Sequence, residues 1–330
     1  MAKVHTRDSS STQRDSCRNY NCMKKIKHKT RKVKRFFNED IWAMEMEGLS
    51  KAKARFIKYV KVLVITVKTF SQQQVAPRAN ALSFLSMMAV VPFIALVFAI
   101  TGGLGLSGRL KDFMYSNFGG SESIDMILQS AQNIIDTAQS GGMGLISALL
   151  FIWVIFRLMM NVESAFNIVW KVDNSRSLMR RFAFYTAILL IAPFVIFVMF
   201  TGSFIYSNAL EYIGVSLGDF SFIMKMVSWA LFIAITAFTF SAMYKFIPNY
   251  KVNYSTALRA ALFAAIAFVA VQFFYLETQL LVNRLNGIYG TFAAVPLFMI
   301  WLNISWTIIL LGAQVSYAFQ HVESYNIDYK

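Results

Sequence analysis

The chain has 330 residues, 57% of them apolar and 15% charged, and its 32 Lys and Arg against 17 Asp and Glu leave a formal charge of +15. Soluble domains sit nearer about 45–50% apolar by this count, so a soluble enzyme is excluded. The three histidines, His5, His28 and His321, flank the apolar regions rather than clustering in them, which excludes a His-built metallohydrolase centre.

Residues 1–50 read as a disordered, polybasic extension expected in the cytoplasm. They open on a serine-rich stretch, HTRDSSSTQRDS, with neither an apolar core nor a secretory cleavage site. Cys17 and Cys22 have no further Cys or paired His nearby, so no zinc site is expected of them. Met23, directly ahead of a basic run, is a candidate natural start of translation. That run contains Lys24, Lys25, Lys27, Lys29, Arg31, Lys32, Lys34 and Arg35. Basic residues beside anionic headgroups are worth about 1 kcal/mol each, so membrane lipid is the expected partner. Nucleic acid would be drawn by the same field, but no aromatic-interleaved reading surface accompanies the run and no specific nucleic-acid partner is expected.

Residues 51–80 form a juxtamembrane segment. Within it Phe56 to Phe70 mixes apolar groups with Lys58, Lys61 and Lys68. An interfacial helix with its lysines reaching up to water fits this pattern, as does an ordinary stem entering the bundle.

The membrane domain is expected over 81–318, with a short cytoplasmic tail at 319–330. Its six apolar stretches are Ala81 to Leu104, Met143 to Val162, Phe182 to Tyr206, Met226 to Ile247, Thr256 to Thr278 and Phe292 to Ala318. A helix needs roughly 20 apolar residues to cross a core about 30 Å thick, whereas a barrel strand needs about ten of alternating polarity. The fold class is therefore all-α, a polytopic bundle of six transmembrane helices with amphipathic interfacial helices. Before residue 81 there are 19 Lys or Arg against six acids, and the second and fourth loops are net basic while the first and third are net acidic. Basic residues stay inside, so both termini are expected in the cytoplasm; only the weakly acidic tail runs against this.

The first outer loop adds a second amphipathic stretch. Ile124, Ile127, Leu128, Ala131, Ile134, Ile135 and Ala138 recur at helical spacing against Asp125, Gln129, Gln132 and Asp136. It is expected to cap the span ends or to act as a lid.

Polar residues inside spans are costly and usually face an interior or a cavity. Arg157 in the second span, with Asn161 one turn on, is the leading candidate for a pathway; snorkelling to the headgroups is the alternative. Glu277, with Gln272 and Gln279 near it, ends the fifth span. In the last span Asn303, Thr307 and Gln314 fall close to one helical face, either as a hydrophilic path or as interhelical glue. Gly312 and Ser316, four apart, would admit a close helix neighbour. Pro92, Pro193 and Pro296 each remove a backbone hydrogen bond within a span, as in transporters with broken helices and in membrane proteins generally. Phosphate-binding glycine loops are absent, so no ATPase activity is expected, nor are catalytic residues, a metal or a cofactor. The oligomeric state is left open, a homo-oligomer included.

Three ordered motifs carry a family resemblance. Arg78-Ala79-Asn80-Ala81-Leu82-Ser83-Phe84-Leu85-Ser86 leads to Val91-Pro92-Phe93; Tyr244-Lys245-Phe246-Ile247-Pro248-Asn249 ends the fourth span. The last span opens on Tyr289-Gly290-Thr291-Phe292-Ala293-Ala294-Val295-Pro296 and continues through Trp301 to Leu310-Leu311-Gly312-Ala313-Gln314. From about residue 70 to 320 the chain resembles the YihY / virulence factor BrkB family. The resemblance implies a bacterial inner-membrane protein with six spans and cytoplasmic ends. Members have been associated with serum resistance and, in one branch, with lipid or lipopolysaccharide export. An older name, ribonuclease BN, implies a tRNA-processing enzyme, but the chain has no HxHxDH metal motif. Gln314 stands where the family often has Glu, which weakens any proton coupling through that position. The expected function is a transporter or a translocator of lipid or another envelope component; the alternative is a non-transporting membrane scaffold or envelope-integrity protein.

Overall fold

The computed structural model describes residues 50–103, 142–173, 176–191, 221–285 and 287–323, together with positions 115, 125, 128, 129 and 133. The basic run 24–35, both cysteines, Met23, Pro193, most of the third expected span and most of the stretch 124–138 lie outside them. Among the described residues all regular structure is helical: α1 (Lys51–Gln72), α2 (Val75–Gly103), α3 (Gly142–Val169), α4 (178–191), α5 (Ser221–Phe246), α6 (Tyr254–Leu285) and α7 (Gly287–His321). Four of these carry segments long and apolar enough to cross a membrane: Ile152–Val169, Trp229–Phe246, Tyr254–Gln279 and Val295–His321.

The helices outrun the apolar stretches that seed them. α3 continues past Val162 to Val169, α6 past Thr278 to Leu285, and α7 starts ahead of Phe292 at Gly287. Apolar content marks what lipid demands, whereas the helix continues for as long as packing and hydrogen bonds support it. The largest consequence falls on Glu163, which reads as the first charge of a loop and instead sits inside α3.

The described residues fall into two compact units, one within 66–321 and the other formed by 50–65 with 322–323. In the larger unit α6 packs along α5 and α7, α7 also meets α2 and α3, and α2 meets α3. The buried side of α6 is Ala257, Ala260, Ala261, Ala264 and Ala265, while Leu258, Leu262, Phe263 and Ile266 are exposed. Large groups outward and small groups inward is the arrangement lipid favours, because burying a large apolar side chain against protein gains little over leaving it in acyl chains. Exposed Leu149, Leu150, Trp153, Phe238, Ile300 and Leu311 continue this apolar coat on the other helices.

α1 ends where Gln74 takes a left-handed φ of 51°, an uncommon conformation away from glycine that redirects the chain into α2. Within the smaller unit Phe56, Tyr59 and Leu63 are exposed, and Lys58 Nζ pairs with Glu323 at 2.9 Å. Lys61 is only 6% exposed, which goes against the reading in which all of these lysines reach up to water and leaves the stem reading open. Between α2 and α3 Leu128 is buried and Asp125 and Gln129 are exposed, as the amphipathic reading has it at these described positions. Tyr115 donates to Asp125 Oδ1 at 2.8 Å there.

Candidate functional site

The ends of α3, α5 and α7 meet the beginnings of α2 and α6, and this end of the larger unit is tied by side chains that bind backbone. At the close of α3, Lys171 adopts a φ of 53° and Val172 N donates to Asn167 O at 2.8 Å, a left-handed helix stop. Asn167 Oδ1 accepts from Asn249 N at 2.8 Å. Arg176 covers the end of α5: Nη1 donates to Ile247 O and Nη2 to Phe246 O, each at 2.8 Å, carbonyls with no partner inside the helix. Gln320 closes the start of α6 by accepting from Asn253 N at 2.9 Å and donating to Lys251 O at 3.1 Å. Trp170 stacks on Tyr250 at 5.3 Å and meets Tyr317 edge-on at 5.6 Å.

Inside this frame lies a polar interior. Gln73, in the turn before α2, donates from Nε2 to Val169 O at 3.5 Å and accepts on Oε1 from Gln314 Nε2 at 3.0 Å. Gln314 is 0% exposed and its own Oε1 has no partner among the described residues. Ser241, Tyr244 and Ser316 are likewise fully buried with unpartnered oxygens. Such atoms cost about 1–3 kcal/mol each if left dry. On the face of α7 turned from Gln314, two residues or about 200° away, Gly312 leaves no room for a side chain: a Cβ there would stand 2.1 Å from Tyr244 Oη and 2.8 Å from Ala264 Cβ.

A second polar group lies between α3 and α4. Glu163 is 1% exposed; its Oε2 accepts a short hydrogen bond from Tyr185 Oη and lies 3.4 Å from Arg181 Nε, while Oε1 has no partner among the described residues. Sequence reasoning missed it because charge counting assigned it to a loop. Helical spacing was the available signal, since Glu163 follows Arg157 and Asn161 without any breaker between them.

The anticipated residues fall in several places. Arg157 is exposed, with its guanidinium over the exposed Trp153 ring at 5.6 Å, a cation–π contact on the outside of α3. Asn161 Nδ2 donates to Arg157 O within the same helix. Asn303 Nδ2 bonds Asn80 Oδ1 and thereby joins α7 to α2, as Trp306 Nε1 does by donating to Ser86 Oγ at 2.9 Å. Thr307 returns its hydroxyl to Asn303 O at 2.8 Å. Glu277 is exposed, Gln272 is half-buried with an unpartnered Oε1, and Gln279 donates to Tyr275 Oη at 3.1 Å. α2 and α7 run on through Pro92 and Pro296. Of the anticipated stripe on the last helix, therefore, Asn303 meets α2 directly while Gln314 enters the buried interior. Among the described residues no three His, Cys, Asp or Glu gather as metal ligands.

Residues 66–329 match the family described as virulence factor BrkB. The chain belongs to that family. Relatives are bacterial proteins named as UPF0761 membrane proteins. That of Aggregatibacter aphrophilus is 28% identical over 273 residues, covering 81% of this chain and 95% of its own. That of Haemophilus influenzae is 28% identical over 257 residues, covering 76% and 91%. That of Legionella pneumophila (strain Corby) is 29% identical over 280 residues, covering 83% of this chain and 65% of its own. No solved structure matches. In this BrkB-family membrane protein the residues that carried the resemblance are brought together by the fold. Asn80 and Ser86 of the first motif hold Asn303 and Trp306, Tyr244 of the second lies against Gly312 of the third, and Arg78 Nε donates to Gln73 O at 3.2 Å, the residue that also holds Gln314.

Proposed function

We propose that this BrkB-family protein is a six-span protein of the bacterial inner membrane, with both termini cytoplasmic, and that it moves an amphipathic envelope component, most simply a lipid, between leaflets without hydrolysing ATP. The observation that carries this reading is Gln314: fully buried in a helix suited to the membrane, it keeps an oxygen that has no partner among the described residues. A helix held only by packing has no need of such atoms, whereas a path for polar headgroups does. The basic run Lys24 to Arg35 is read as an anchor for anionic headgroups at the inner surface.

A scaffold without transport is the second reading. It is favoured by the Asn80–Asn303 and Ser86–Trp306 pairs, whose polar atoms satisfy one another and serve as interhelical glue.

Reconstitution into liposomes carrying fluorescent lipids separates the two. Protein-dependent movement of label between leaflets, lost in Gln314→Leu and retained in Arg157→Leu, is the expected outcome. Arg157 is the control because it lies on the outside of α3. Folded, inserted protein that moves no lipid would shift the reading to the scaffold or to a soluble solute.

A further inference from the structure

We propose that α1 is a lipid-docking helix. It lays the line Phe56, Val60, Leu63 and Val67 into the headgroup–acyl boundary of the leaflet beside the start of α2, with its first-turn cations against anionic lipid. These four positions are spaced i, i+4, i+7, i+11 and fall within about 60° of one another around the helix, over about 16 Å of its length. Phe56 is 70% exposed, Leu63 63% and Val67 64%, while Val60 is half-buried. The other side of α1 is covered, with Val62, Ile65, Thr66 and Thr69 buried. A helix covered along one side and facing water on the other carries polar residues outward. The open line of α1 is apolar instead, and the boundary between headgroups and acyl chains is a medium that accepts such a face.

Charge identifies what covers the line. α1 holds six Lys or Arg and neither Asp nor Glu. Lys51, Lys53 and Arg55 are exposed just ahead of the line. Lys58, about 160° around the helix from Phe56, turns away to pair with Glu323 at 2.9 Å. An anionic leaflet offers phosphates and acyl chains in one continuous surface, which matches cations and apolar groups on one helix. A protein partner would need an apolar groove rimmed with acids to do the same. Tethering favours the leaflet further: α1 ends at Gln72, two residues separate it from Val75 at the start of α2, and α2 carries the first apolar stretch from Ala81 onward. The line therefore meets lipid in an intramolecular step, at high effective concentration. This requires that the chain resides in a membrane, and it holds whether or not the protein moves lipid.

Collisional quenching in the full chain tests this, on a background lacking Cys17 and Cys22 and in nanodiscs containing phosphatidylglycerol. A bimane label is attached through Leu63→Cys on the line, or through Glu323→Cys on the far side of α1. The first should be quenched by lipid bearing a nitroxide near the top of its acyl chain and protected from aqueous iodide, and the second should show the reverse. Replacing Lys51, Lys53 and Arg55 together by Gln should weaken docking on the order of 100-fold, as three surface cations imply, and return the label at position 63 to iodide. Iodide quenching at 63 with those cations in place would show the line in water and overturn the proposal. Protection from both quenchers would overturn it as well, by placing a protein surface on the line, a second copy of this chain included. Lipid quenching at both positions would mean immersion of α1 rather than docking by one face. Lipid quenching that survives the triple replacement would overturn the choice of anionic lipid. Should Leu63→Cys fail to fold, Val67→Cys on the same line decides in the same way.

Discussion

Gly312 and Tyr244 compete for one volume, and the glycine yields it. Adding a methyl group at Gly312 places a carbon 2.1 Å from Tyr244 Oη, a separation that no rotamer adjustment of the methyl can relieve. Gly312→Ala should cost about 1–3 kcal/mol, the range for overpacking a close-packed interior, read as a lower midpoint of thermal unfolding in detergent. Tyr244→Leu in the same chain should return part of that loss, since the two sites touch and their effects are coupled. An alanine variant as stable as the wild type would show that the close approach is not required. Sequence indicated the small residue at 312, and Gly312 with Ser316 read correctly as room for a neighbour. It gave no sign that the neighbour is a tyrosine, because the pairing depends on how α5 and α7 are rotated against each other. Arg157 and Glu163 carry the same lesson with opposite results. Both stand in α3, but one points outward over Trp153 and the other inward to Arg181. Six residues at 3.6 per turn separate them by about 120°, enough to divide lipid from interior.

Between helices, the contacts that fix placement are few and specific. Arg176 satisfies carbonyls at the end of α5 from the far side of a loop, and Arg176→Gln should cost about 1–3 kcal/mol by leaving helix-end acceptors unpaired. Thermal unfolding measures it; a loss no larger than that of Arg180→Gln, a neighbouring exposed arginine, would mean water replaces the guanidinium fully. Asn303→Leu breaks the polar link from α7 to α2 and should cost less, below about 2 kcal/mol, because interhelical hydrogen bonds in membranes are individually modest. In the smaller unit the bond from Lys58 holds the Glu323 carboxyl below the ordinary glutamate range, with the lysine charge adding to it. A carboxyl lowered on folding stabilises above its unfolded titration near about pH 4.3 and loses that contribution as pH falls through its folded value. Since the pair is exposed, Glu323→Gln should change stability by no more than about 0.5 kcal/mol at neutral pH, and the small difference from wild type should fade on the acid side. A difference that instead grows with acidification would contradict this account.

For the whole molecule, six crossings with both ends on one side can be tested with single cysteines and an impermeant thiol reagent on a background lacking Cys17 and Cys22. Positions 251 and 325 should be labelled only from the cytoplasmic side and position 125 only from the other. Labelling of 251 and 325 from opposite sides would rule out the topology. Composition and the lengths of the apolar runs determined by themselves that this chain is an α-helical membrane protein, and three motifs pointed to its family. Those signals are legible because the bilayer is a uniform solvent: every residue in a span meets the same demand for apolar surface and a satisfied backbone, so the demand is written locally. Which polar side chains face inward, where the helices end, and that Gln73 meets Gln314 and Glu163 meets Arg181 and Tyr185 were decided only by the tertiary structure. Those outcomes depend on the rotation and depth of each helix against partners far away in the chain, and no local pattern records a relation between two distant segments.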